Sequence, residues 1–305
     1  MNQRITKISV FFSVLSIILV LVNPVSYCSA SWGVEPADSL ELELTSINVD
    51  YQTDIENYSA NYITFGVASN VPEGDLVNFS VVNTNASSVD YQLSHDIVIE
   101  NHQYNQSNFE KEMKDLMLLP IRFGQKVFDL DDLKRGFTGI DYPIVSTDNT
   151  TWEFYDNYDN PYYLGLVEKL FTENATVFLQ AKYSNNESID TAFYEWHSNG
   201  TYTDTSKNTS IDFVHKFLIA YQYSTGLLLG LRLDMDIEGI REGEDIIIIL
   251  QSEVLQPGFN LDDFTLPTEH VGLDELLTGL FPGFSLFITS FTIGTLIILY
   301  KVKKK

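Results

Sequence analysis

The chain has 305 residues, 42 of them acidic and 18 basic, for a formal net charge of −24. Phosphate binding needs clustered Lys and Arg, and the only such cluster is at the extreme C-terminus, so nucleic acid is excluded as a partner. Cys28 is the single cysteine, which excludes an internal disulfide framework and a zinc-thiolate site.

The N-terminal end carries Arg4 and Lys7 and no acid, followed by the apolar run Ile8 to Val22. Asn23-Pro24 breaks any helix there, because proline lacks the donor and clashes with the preceding turn. Cys28-Ser29-Ala30 then supplies an A-x-A-like cleavage site. Residues 1–30 are therefore expected to be a signal peptide handled by the export machinery, with Ser31 as the first mature residue. The run is about 15 residues, short of the ~20 that a spanning helix needs. An uncleaved anchor is one alternative. Acylation of Cys28 is the other, set against by the bulky Tyr27 before it.

Residues 31–59 read as an N-terminal segment and 60–255 as a β-rich ectodomain. Strand-like stretches run over 60–68, 76–83 and 89–100, with Glu73-Gly74-Asp75 as a turn. Three short helices are expected. Asn108 to Leu119 places Phe109, Met113, Leu116 and Met117 on one side; Asp131 to Arg135 and Pro161 to Phe171 are the others. From 175 to 255, alternation predicts a five-strand antiparallel meander. Leu227, Leu229, Leu231, Leu233, Met235 and Ile237 share one face of its longest strand, after a turn at Ser224-Thr225-Gly226. The run Asp245 to Leu255 is apolar on both faces at its start, which suits a central position. The expected fold is α+β and mainly β: one large curved antiparallel sheet with a few short helices, plus one C-terminal transmembrane helix.

Nine Asn-x-Ser/Thr sequons begin at Asn57, Asn78, Asn85, Asn105, Asn149, Asn174, Asn186, Asn199 and Asn208. They exceed the number that composition alone gives and suggest a glycosylated exterior. No metal-ligand spacing joins the five histidines, and no nucleophile elbow or phosphate loop is present. Two acidic groups offer the several oxygens that calcium takes. One is Asp129, Asp131 and Asp132, which also suits a helix N-terminus. The other is Asp156 and Asp159 with Asn157 and Asn160, which also suits a turn. No other cofactor is implied.

After a linker at 256–280, Phe281 to Tyr300 gives 20 uncharged residues, about 30 Å as a helix. The tail 301–305 holds four lysines. Lysines stay on the cytoplasmic side, so the ectodomain faces out, with its 12 basic against 42 acidic residues netting −30.

Pro282-Gly283-Phe284, the hydrophobic span and the terminal lysines together resemble the PGF-type sorting signal of archaeal cell-surface proteins. That resemblance implies an archaeosortase that removes the helix and joins the ectodomain to a membrane lipid. A second Pro257-Gly258-Phe259 has no helix after it, and no Thr- and Pro-rich stalk precedes the motif, so permanent retention of the helix stays open. The stretch Tyr221, Thr225, Gly226, Leu228 and Leu229 resembles a turn in choice-of-anchor ectodomains. It implies a sheet-rich domain and no particular chemistry. The expected function is a non-enzymatic binding, adhesion or envelope-structural role at the cell surface. An extracellular hydrolase, or an apolar-ligand binder using the concave face of the sheet, is the alternative.

Overall fold

The computed structural model describes residues 32–65, 69–128, 132, 143–170 and 174–262. Among these residues twelve strands form: β1 (Ser39–Thr53), β2 (Asn57–Ala60), β3 (Tyr62–Phe65), β4 (Ser69–Pro72), β5 (Leu76–Thr84), β6 (Ser88–His95), β7 (Val98–Asn105), β8 (Ala175–Asn186), β9 (Thr191–Asp204), β10 (Thr209–Gln222), β11 (Leu228–Arg241) and β12 (Glu244–Leu255). Among the described residues, the α-helices of more than one residue between β7 and β8 are α1 (Gln106–Met117), α2 (Leu119–Gly124), α3 (Asn149–Asp159) and α4 (Pro161–Leu170).

One ten-stranded antiparallel sheet runs in the order β7-β6-β5-β1-β12-β11-β10-β9-β8, with β2 also on β1; β3 and β4 form a separate hairpin. The helical segment thus joins the two edge strands and lies across one face. That inner face and the helices share one apolar core, from Phe79 and Tyr91 through Phe109 and Met113 to Tyr194, Trp196 and Leu233. Each large side chain buried there contributes about 1.5–3 kcal/mol.

The mainly β architecture and the five-strand meander follow the expectation, as do the helix at 106–117 and its four buried residues Phe109, Met113, Leu116 and Met117. Four details differ. The sheet starts well upstream of residue 60: β1 lies between β5 and β12 near its middle. Leu40, Leu42 and Leu44 point inward, and a bulge between Leu44 and Ser46 then hands the inner face to Ile47, Val49 and Tyr51. The extra residue flips the alternation, which hides a single strand behind two out-of-phase halves.

The second difference is on β11. Ala220 pairs with Gly230 but Tyr221 with Leu228, so Leu229 is the bulged residue and packs on the outer face, opposite the helices. Third, the 89–100 stretch is two strands, turned at Asp96 (φ 53). The 60–68 stretch takes in β3, and its residues 66–68 lie outside the described residues.

Fourth, the Asn- and Asp-rich stretch expected as a turn is helical up to Asp159. Burial of Trp152, Phe154 and Tyr155 on one side of α3 outweighs its turn-forming composition. Asn160 then opens α4, its Oδ1 accepting from Tyr162 N at 2.9 Å with Pro161 at the first helical position.

Beyond β12, residues 256–262 fold back across the outer face. Pro257-Gly258 forms a tight turn, with Gly258 at φ 88 and Phe259 N donating to Gln256 O at 2.9 Å. This accounts for the second Pro-Gly-Phe. Gln256 holds the strap to β11 through its N–H on Leu229 O and its Nε2 on Leu228 O. Phe259 stacks on Phe193 at 6.3 Å, and Leu261 is fully buried with Leu218 and Ala220. Gly230 leaves room for Leu255 and Leu261, since a Cβ there would lie 2.6 Å from the first.

Among the described residues no helix is long and apolar enough to cross a membrane. Segment 1–30, the span 281–300 with Pro282, Gly283 and Phe284, and the tail 301–305 lie outside the described residues.

Candidate functional site

Period-two alternation gives the outer face of the meander one transverse row after another. Nearest the strap the row is apolar: Phe193, Ala220, Gly230 and Leu255. The next holds Glu195, Leu218, Arg232 and Glu253, and the next His197, Lys216, Asp234 and Gln251. Opposite charges therefore face one another across strands, which is the pairing that stabilises a sheet face.

Glu195 is the focus. Its side chain is 0% exposed, and Oε1 lies 2.9 Å from His197 Nε2 and 3.2 Å from Lys216 Nζ. Oε2 is buried with no hydrogen-bond partner. Burial pushes the carboxyl pKa up, but the contacts from His197 and Lys216 outweigh it and the group sits below its ordinary value. Glu195 is thus an ionised, buried carboxylate. Beside it Arg232 bridges Glu253 and Asp262, the latter at 2.9 Å, and Thr45 Oγ1 donates to Glu253 Oε1 at 2.8 Å. The network ties β1, β12, β11 and the strap together.

A second feature lies at the far end of the same face. A trough of about 600 Å³ is lined by Asn174, Ala175, Thr176, Thr201, Thr203, Asp204, Thr205 and Ser206. Thr176 and Thr201 are partners across β8 and β9. The strands approach closely because residue 200 is glycine, where a Cβ would lie 2.0 Å from Thr176 O. Asp204 is committed locally: Oδ1 accepts from Ser206 N at 3.0 Å and Ser206 Oγ at 2.6 Å. The trough can take a polar ligand through hydroxyl groups, each both donor and acceptor. Sequence reading passed over it; the signal was Thr201, Thr203 and Thr205 in strict alternation.

The sequon asparagines all reach the surface. Asn57, Asn78, Asn85, Asn149, Asn174, Asn186, Asn199 and Asn208 are exposed and Asn105 is half-buried. They are spread over strands, turns and the start of α3 rather than gathered at one edge.

Of the calcium candidates, Asp129 and Asp131 lie outside the described residues and Asp132 is half-buried. Asp156 and Asp159 sit on the last turn of α3, where burial, only partly offset by a backbone hydrogen bond from Tyr183, raises the Asp159 pKa. Among the described residues no three or more His, Cys, Asp or Glu side chains are placed to hold a metal ion.

The described histidines are dispersed. His95 lies 3.1 Å from Asp75, His102 stacks on Tyr91 at 5.3 Å, and His215 is buried in the core 3.5 Å from Ser198. The helices α1–α4 occupy the inner face, where an apolar ligand was expected as an alternative. No family model matches this chain, and no curated protein matches it.

Proposed function

We propose that this chain is an outward-facing, membrane-anchored and glycosylated cell-surface protein whose sheet domain has a non-enzymatic binding, adhesion or envelope-structural role. The observation that carries the reading is the placement of the sequons: nine asparagines between Asn57 and Asn208, on strands, turns and a helix start, none of them in the core. Glycan attachment requires that the asparagine reach solvent, and every one of the nine does.

The rest of the proposal rests on sequence. The signal segment 1–30 starts export, the span 281–300 halts it, and the lysines of 301–305 stay inside. Pro282 and Gly283 at the outer boundary resist regular helix and leave an extended backbone. On this reading that backbone is what an archaeosortase cuts before joining the new C-terminus to a lipid.

Mass spectrometry of the protein from its own cells tests both parts. The expected result is glycan on several sequons and Ser31 as the first residue. Bare asparagines throughout would remove the glycoprotein reading. A peptide containing Ile298 to Lys305 on the mature surface form would remove the sorting step and leave the helix as the anchor.

A further inference from the structure

The trough between β8, β9 and the turn after β9 lies among three sequons. Asn174 is on its wall, and Thr176 and Thr201, which line it, are the hydroxyl residues of the Asn174 and Asn199 sequons. Asn208 follows the Thr205–Lys207 turn that closes one end. The walls present five hydroxyls, one amide and one carboxylate, with Ala175 as the apolar exception.

Several of those groups are spoken for. Thr201 Oγ1 donates to Asp212 Oδ1 at 2.5 Å, and Ser206 Oγ donates to Asp204. Within the described residues the hydroxyls of Thr176, Thr203 and Thr205 make no hydrogen bond and are open to a ligand. Asp204, the one carboxylate, is paired with Lys207 at 3.8 Å, and a wall of hydroxyls with free donors and acceptors and no aromatic platform matches a neutral polyhydroxylated ligand.

We infer that the trough is the bed of the protein's own glycan: the sugar chain attached at Asn174 folds back onto Thr176, Thr203 and Thr205 instead of projecting into solvent. The inference rests on the glycoprotein reading above. It adds where one glycan goes and what holds it. Attachment at the trough wall removes most of the association cost, because the effective concentration of a tethered group is in the millimolar range or higher. Weak hydroxyl contacts then suffice. A docked glycan would also cover the outer flank of β8, which among the described residues is an edge strand with no partner on its far side.

The test uses the native glycoprotein and mild periodate, which cleaves vicinal diols whatever the sugar. Oxidation at each occupied sequon is followed by glycopeptide mass. In folded protein the Asn174 glycan should oxidise about tenfold more slowly than in urea-unfolded protein, the tenfold reflecting a docked population of about 90%. Glycans elsewhere, such as at Asn186 on an open turn, should change little. The Thr203→Val, Thr205→Val double variant keeps every sequon and should bring the folded rate at Asn174 up to the unfolded one.

Equal rates at Asn174 in folded and unfolded protein overturn the inference. So does a bare Asn174 in a protein glycosylated elsewhere, which leaves the glycoprotein reading standing. Bare asparagines at all nine positions overturn both.

Discussion

His215 shows how a single residue is decided by its neighbours. It lies on the inner face of β10, fully buried beneath α1 and beside Phe217 at 5.8 Å between rings. Burial lowers its pKa from 6.5 to about 3, against an opposing hydrogen bond to the Met117 backbone. The folded state thus holds it neutral while the unfolded chain binds a proton below pH 6.5. Stability from this site is complete above 6.5 and is lost as pH falls toward 3, at about 1.4 kcal/mol per pH unit. Urea melts of wild type and His215→Phe at pH 7, 5 and 4 check this, and the variant should lose less stability on acidification. Parallel losses would mean that the imidazole is solvated. Nothing in the sequence separated His215 from His197, two strands' breadth apart in role: one is an apolar-core residue, the other a partner of Glu195. Which face of the sheet each occupies decides it, and alternation places them only once the register is known.

At the scale of elements, alternation was legible wherever a strand keeps one phase, as in β9, β10 and β11 beyond Gly230. It failed at bulges. The N-terminal run of alternating leucines is as regular as any strand in the meander, but the phase change after Leu44 concealed its continuation. The two hairpin loops were legible in principle: Asn186-Glu187-Ser188-Ile189-Asp190-Thr191 and Asp204-Thr205-Ser206-Lys207-Asn208-Thr209 share one pattern. In each, the first residue accepts from the serine N–H, and the fifth, Asp190 or Asn208, adopts φ 50. Asp190 also accepts from Ser224 N, Ser224 Oγ and Gln222 Nε2, which locks this loop to the β10–β11 turn. That turn was read correctly, and Gly226 explains why it tolerates little change. Its φ is 72, and a Cβ would lie 2.0 Å from Val145 O. Gly74, at φ 89, has nothing within 4 Å of the same position. Both Gly→Ala changes carry the left-handed backbone cost of about 1 kcal/mol. Only Gly226→Ala adds a clash, so its thermal midpoint should fall well below that of Gly74→Ala, by several degrees in scanning calorimetry. Equal midpoints would show that Val145 is not held against the turn.

For the whole molecule, the consequential strand is the one that sequence boundaries left outside. β1 pairs with β12 over Glu43 to Thr53 and with β5 over Ser39 to Glu43, so it alone joins the meander to the β5–β7 group within the sheet. It also contributes Leu40, Leu42, Leu44, Ile47 and Val49 to the core. A chain starting at residue 57 therefore exposes the edges of β5 and β12 together with the apolar surface those residues covered. It should show no cooperative unfolding transition by circular dichroism, while one starting at residue 32 should show a single transition. Cooperative melting of the shorter chain would mean that the two groups fold as separate units. The candidate site was the least legible part. Glu195 is separated in sequence from Arg232, Glu253 and Thr45, and only strand order makes them neighbours. The acidic stretch at 156–160, which did stand out in sequence, turned out to end a helix.

The strap also sets how the domain would respond to being pulled. Among the described residues, tension entering from the C-terminal side reaches residue 262 first, where the load falls on the Arg232 contact, the buried Leu261 and the Phe259 stack before it reaches β12. These contacts can open one at a time, in the manner of a zipper. β12 behind them is gripped by a strand on each side and would have to be sheared against both ladders at once. A few residues of sacrificial packing thus shield the central strand, as a cord's strain relief shields the joint behind it.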